Sequence, residues 1–147
     1  MRKLLLWFVM FFVVSAIVHA LPSDAIEVFT SAGNSVSIST AGKVFRLNIA
    51  SGVVIYDLSN RVTQVGNTSV TYDRVTNRVI KIGDIPVNYD ASNRVIKIGN
   101  TVIAYDFANR MFKIGDASIT YDVISRVKNI TGKIPDNIRF ASVPEQP

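Results

Sequence analysis

A chain of 147 residues with no cysteine, one histidine, 48 % hydrophobic content and a formal charge of +5 is one domain's worth of sequence that no disulfide can staple. The small, scattered basic excess excludes the dense cationic stripe of a nucleic-acid binder. Scarce His and absent Cys remove the usual general base and the strongest nucleophile.

Much of the apolar content sits at the front. Met1-Arg2-Lys3 is a short basic region, Leu4 to Val18 is an apolar run interrupted only by Ser15, and Val18-His19-Ala20 has the small or β-branched residues of a cleavage site. Residues 1–20 are therefore expected to be a secretory signal peptide cleaved after Ala20. A retained membrane anchor is the alternative, although the run is just short of the roughly 20 residues needed to span hydrocarbon. Cleavage would leave no membrane-associated segment, and would remove the only His (His19) and the only Trp (Trp7). The formal charge would fall from +5 to +3, with 14 basic against 11 acidic residues. The destination is a secreted, periplasmic or cell-envelope location.

Residues 21–35 read as a lead-in strand, Ile26-Glu27-Val28-Phe29, and a turn, Ser31-Ala32-Gly33-Asn34-Ser35. Residues 36–140 are a tandem repeat. Tyr-Asp pairs stand at Tyr56-Asp57, Tyr72-Asp73, Tyr89-Asp90, Tyr105-Asp106 and Tyr121-Asp122, spaced by 16, 17, 16 and 16 residues, and NRVIKIG is spelled twice, at 77–83 and 93–99. A period this regular decides the fold before local propensity does. The first copy, Val36-Ser37-Ile38 with Val44-Phe45-Arg46-Leu47, is degenerate, and the last closes on Ile138-Arg139-Phe140. Residues 141–147 are expected to be a flexible tail.

Within a unit, Val70-Thr71-Tyr72 and its copies alternate apolar with small or polar residues, as a half-buried strand does. The second strand is Arg-Val-Ile-Lys-Ile, in which strict alternation puts Ile80 with Ile82, Ile96 with Ile98 and Phe112 with Ile114 on one face. Gly83-Asp84, Gly99-Asn100 and their copies form one turn, and Asp90-x-x-Asn93 and its copies the other. The extra residue of the 17-residue unit falls in the second type of turn. The fold class is therefore all-β, tandem 16-residue hairpins in a curled antiparallel meander or roll. A parallel β-solenoid is the alternative, but it would stack like charges such as Lys81, Lys97 and Lys113 at about 4.8 Å, against roughly 9.6 Å in a meander. A flat sheet would leave its apolar face wet, so strong curvature is expected.

Tyr-Asp-x-x-Asn-Arg-Val resembles the Tyr-Asp-x-x-Gly-Arg-Leu signature of YD repeats, the modules of bacterial Rhs-type cell-surface and toxin proteins. The likeness covers residues 36–140, with Asn60, Asn77, Asn93 and Asn109 in the usual glycine position and a glycine, Gly42, in the first copy. It implies a β-strand array in a bacterial envelope or secreted protein. It does not imply toxicity, since nothing here encodes a toxin.

The aspartate column invites a calcium reading, but calcium needs six to eight oxygens at one point, so each Asp is read as opening its turn and facing the Arg of that turn, as Asp90 faces Arg94. The tyrosines could stack on sugar rings, but a Tyr in phase with a Val two residues earlier is read as core with its hydroxyl at the rim. No cofactor or metal is implied and no catalytic residue stands out. A small glycan-acting enzyme would need non-repeated carboxylates, which the array does not offer. The glycosylation-type triplets Asn67-Thr68-Ser69 and Asn129-Ile130-Thr131 carry no meaning in a bacterial source.

The candidate binding face joins Lys81, Lys97 and Lys113 to an apolar stripe of Val79, Val95 and Met111, continued by Val62 and Val127. Either this face docks an envelope polysaccharide or a protein partner, or β-bulges bury the apolar stripe and the lysines alone reach solvent. The reading is an exported, non-enzymatic binding module of the envelope or extracellular space. A structural or self-associating role through edge strands is the alternative.

Overall fold

The computed structural model describes residues 24–142; the proposed signal segment, 1–20, lies outside the described residues, as do residues 143–147. Fourteen strands follow in order: β1 (Asp24–Phe29), β2 (Ser35–Ser39), β3 (Val44–Asn48), β4 (Val54–Tyr56), β5 (Val62–Val65), β6 (Thr68–Tyr72), β7 (Val79–Ile82), β8 (Ile85–Tyr89), β9 (Val95–Ile98), β10 (Thr101–Tyr105), β11 (Met111–Ile114), β12 (Ala117–Tyr121), β13 (Val127–Thr131) and β14 (Ile138–Ser142). Strands β4 to β13 form a ten-stranded antiparallel meander, each pairing with its sequence neighbours. The antiparallel expectation holds, and the solenoid does not.

The sequence reading placed the first and last copies in the same array, and here the structure differs. Strands β14, β1, β2 and β3 form a separate four-stranded sheet in that order. The breaks fall where the connections lengthen, between β3 and β4 and between β13 and β14. The closing segment Ile138-Arg139-Phe140 pairs with Val28, Glu27 and Ile26 of β1 rather than with the repeats. Ala141 and Ser142, assigned above to a tail, continue β14 opposite Ala25 and Asp24.

The central hairpin of the small sheet, β1 and β2, is internal, whereas β3 is largely exposed. Ala25 to Val28 and Ser35 to Ile38 are buried without alternation, which requires protein on both faces. Ile26, Val28, Val36 and Ile38 share one core with the repeat residues Val65, Val79, Ile82, Val95, Ile98, Met111 and Ile114. The meander thus curls around the first hairpin, and this supplies the cover that a single sheet lacks. At about 1.5–3 kcal/mol for each large side chain removed from water, this shared core is the main stabilising term.

Polar groups in the inner sheet are matched. Glu27 accepts hydrogen bonds from the Ser35 hydroxyl and, at 2.7 Å, from the Asn48 amide. The buried Asn34 side chain fixes the β3–β4 connection, accepting from Ala50 N and Ser51 N and donating to Ser51 O. Inner sheet and repeats are joined by backbone: Val79 N donates to Gly42 O and Val95 N to Thr40 O, both in the β2–β3 turn. Gly42 has φ +78°, and a Cβ there would overlap the Tyr89 ring, so glycine is required twice over.

Candidate binding face

Every long hairpin of the array carries a β-bulge, and the bulge decides which residues face outward. Thr71 pairs with Lys81 but Tyr72 pairs with Val79, so Ile80 is the extra residue. The same shift recurs at Tyr56–Val62, Tyr89–Val95, Tyr105–Met111 and Tyr121–Val127. A bulge places two consecutive residues opposite one and breaks the two-residue alternation. Strand β7 therefore reads buried, exposed, exposed, buried from Val79 to Ile82.

This corrects the apolar half of the predicted face. Val79, Val95 and Met111 are 0 % exposed and belong to the core. The apolar neighbours of the lysines are instead Ile80, Ile96 and Phe112, which strict alternation had placed inside. Ile80 and Phe112 are exposed and Ile96 is half-buried. Lys81 and Lys113 are exposed and Lys97 partly so. Across the ladder their partners are neutral: Thr71 and Pro86 for Lys81, Asn88 and Val102 for Lys97, Ala104 and Ser118 for Lys113. None of the three lysines joins an ion pair among the described residues. The outer face is thus a cationic row with apolar residues beside it and no carboxylate within it. Sequence reasoning missed Ile80, Ile96 and Phe112; the signal that could have found them is the Val-x-x-Ile spacing, which puts both apolar ends of a four-residue strand inward only if the strand is bulged.

The Asp-x-x-Asn turns form a second regular feature, at one end of the hairpins. Asp90 accepts the amides of Ser92 and Arg94 through Oδ1, and its Oδ2 receives the Arg94 guanidinium at 2.9 and 2.8 Å. Each such Asp opens its turn and faces its own Arg, as expected. The same Arg then reaches the next repeat. Its guanidinium lies 4.7 Å from the Tyr105 ring centroid and donates to Asn109 Oδ1 at 2.9 Å. Arg61, Arg78 and Arg110 stack likewise on Tyr72, Tyr89 and Tyr121. In the 17-residue unit the extra residue, Thr76, takes the place of the Arg at Asp73, yet Arg78 keeps both its Tyr89 and its Asn93 contacts. The link between repeats is therefore the constant part of the motif.

The tyrosines are half-buried from Tyr72 onward, and each hydroxyl donates to the carbonyl of the bulge residue one repeat earlier: Tyr72 to Val62, Tyr89 to Val79, Tyr105 to Val95 and Tyr121 to Met111. That geometry is core with a polar rim rather than a stacking platform. Burial raises all four, with Tyr89 pushed up to about 12.

The turn carboxylates move the other way. Backbone amides and then the turn's own Arg or Thr hold Asp57, Asp73 and Asp122 below the ordinary carboxylate value, and at Asp90 and Asp106 the same bonds outweigh burial. Both carboxylate oxygens of Asp57, Asp90, Asp106 and Asp122 are engaged in turn structure, whereas Asp73 accepts its three bonds through Oδ1. Among the described residues no cluster of three His, Cys, Asp or Glu side chains stands close enough to hold a metal ion. A cavity of about 290 Å³ lies between the start of β3 and the first two Asp–Asn turns of the array, lined by Lys43, Val44, Asn60, Arg61, Val62, Tyr72 and Asn77.

Comparison with protein-family models, with curated proteins and with solved structures returns no match. The fold and the face define the class directly: an all-β hairpin-repeat protein wrapped on its own first hairpin.

Proposed function

We propose that this chain is an exported, non-enzymatic β-repeat protein that works as an envelope or extracellular binding module, its ligand an anionic envelope polysaccharide. The observation that carries the reading is the row of Lys81, Lys97 and Lys113, unpaired on an outer face whose ladder neighbours are all neutral. Lysines about 9.6 Å apart on alternate strands suit an extended polyanion whose charges recur along a chain. The apolar run at 4–18 and the likeness to YD repeats support export and an envelope setting.

The test is retention of the protein on isolated envelope polysaccharide from low to high salt. Retention should weaken as salt rises, and the triple variant Lys81→Glu, Lys97→Glu, Lys113→Glu should lose it with its strand content intact by circular dichroism. Unchanged retention by the triple variant would sink the reading. The exposed Ile80, Phe112 and Val102 beside the lysines favour a protein partner as the second reading. Capture that survives high salt but fails in Phe112→Lys would select it.

A further inference from the structure

We infer that the two open edges of the ten-stranded sheet are complementary, and that copies of this chain associate head to tail by pairing β13 of one with β4 of the next. Throughout the array a strand of the Val79–Ile82 type is followed, across a glycine turn, by a strand of the Thr68–Tyr72 type. Strand β13 is of the first type and lacks its follower; β4 is of the second type and lacks its predecessor, because β3 and β14 have joined the inner sheet. The existing pairing of Lys113 with Ser118 and Ile114 with Ala117 gives the register of the missing one. Asn129 would face Val53 and Ile130 would face Gly52 of the second copy. Val53 is already set for this role, since its carbonyl accepts Gly66 N as Ser69 O accepts Gly83 N.

The side chains at the two ends are unfinished in matching ways. Among the described residues Arg126 keeps its pair with Asp122 but has no Tyr or Asn beyond it, and is 74 % exposed against 30 % for Arg94 and Arg110. At the other end, among the described residues, Tyr56, 54 % exposed, has no Arg stacked on it, and Asn60 has no Arg donating to its side chain as Asn77, Asn93 and Asn109 have. Ile130 is 39 % exposed where its counterparts Val65, Ile82, Ile98 and Ile114 are at most 1 %. One contact would supply the missing stack, the missing Arg–Asn bond and the missing cover together. The connections leaving the array do not occupy these edges: Asn34 ties Ala50 and Ser51 to the inner sheet, and Pro135 lies beside Gly115. Because the two surfaces differ, the association is heterologous and continues beyond a dimer unless it closes into a ring.

Sedimentation velocity of the full chain in a non-ionic detergent, over a concentration series, tests this. The unmodified chain should give species larger than dimers as concentration rises. A tail-blocked variant, Arg126→Glu with Ile130→Lys, and a head-blocked variant, Val53→Lys with Tyr56→Glu, should each be monomeric alone, and their mixture should form one-to-one pairs. All four substituted side chains are exposed, and circular dichroism checks that each variant keeps its strands. An unmodified chain that stays monomeric overturns the proposal, as does a blocked variant that dimerises alone, a mixture that does not pair, or assembly persisting when both edges are blocked in one chain. Lys81, Lys97 and Lys113 lie on neither edge, so their Glu variants should assemble as the unmodified chain does.

Discussion

Asp24, the first residue of the first strand, accepts a hydrogen bond from the amide of Met111 at 3.2 Å. It completes a series in which the bulge amides of three successive repeats are received by the inner sheet: Val79 by Gly42, Val95 by Thr40, Met111 by a side chain. The Tyr121 hydroxyl also points at this carboxylate. Burial pushes Asp24 above the ordinary carboxylate value, against the pull of Met111 N, Tyr121 and Arg110, and with Asp106 adding to the push. Native protein thus holds this proton more tightly than the unfolded chain does, and stability is lost as pH rises from about 3.8 through the higher native value. Asp24→Ala should lower stability in urea by about 1 kcal/mol, by leaving the Met111 amide without an acceptor. Asp24→Asn keeps the acceptor without the charge, and should match or exceed the unmodified protein at neutral pH.

The turn asparagines have φ near +60°: 61° at Asn60, 58° at Asn77, 62° at Asn93 and 61° at Asn109. Asn is the non-glycine side chain that best tolerates this left-handed region, which accounts for its recurrence at the turn position. Asn93→Ala and Asn93→Gly both lose the bond from Arg78, so their difference isolates the backbone. The alanine variant should be less stable than the glycine variant by about 1 kcal/mol in chemical denaturation. Equal stability would show that this turn relaxes.

Arg94 makes a fork to Asp90, a bond to Asn109 and a stack on Tyr105. Lysine keeps the charge but neither the fork nor the planar stack. Arg94→Lys should cost about 1 kcal/mol. A double-mutant cycle with Tyr105→Leu should assign part of that loss to the contact between repeats; a purely additive cycle would place it all within the turn.

Stability should fall at both ends of the pH range, for opposite reasons. The five turn aspartates have native values below the unfolded one, so their contribution is present above about pH 4 and is lost as pH drops through those lower values. Asp24 acts in the other direction and is outnumbered. In alkali, Tyr89 titrates near 12 instead of 10, so stability declines as pH rises across that interval. Tyrosinate absorbance should appear together with loss of the strand signal. Free ionisation of Tyr72, Tyr89, Tyr105 and Tyr121 in the folded state would contradict the hydroxyl–carbonyl bonds.

The antiparallel meander, its turns and the Asp–Arg pairs were legible because each is local and is written several times over. The Tyr-Asp column fixes the period, and Asp with Arg four residues on specifies its own turn. The bulge was not legible in the same way. Val79-Ile80-Lys81-Ile82 fits either phase of alternation, and one uncounted residue moves Val79 inside and Ile80 outside. The inner sheet was hidden for a different reason. Ser35 and Glu27 look like the solvent side of a strand, and are buried with their side chains satisfied by each other and by Asn48. The fate of β3 depends on how far the later strands curl, which no local pattern records.

Tandem-repeat proteins usually fold as a one-dimensional sequence of neighbours, so that growth can begin anywhere and stop anywhere. Here the pairing of Val28 with Ile138, and of Asp24 with Ser142, ties the beginning of the described chain to its end. That clasp has a high loop-closure cost and should make folding slow, late and all-or-none. A chain emerging N-terminus first from the ribosome would then take its native shape only once β14 had appeared.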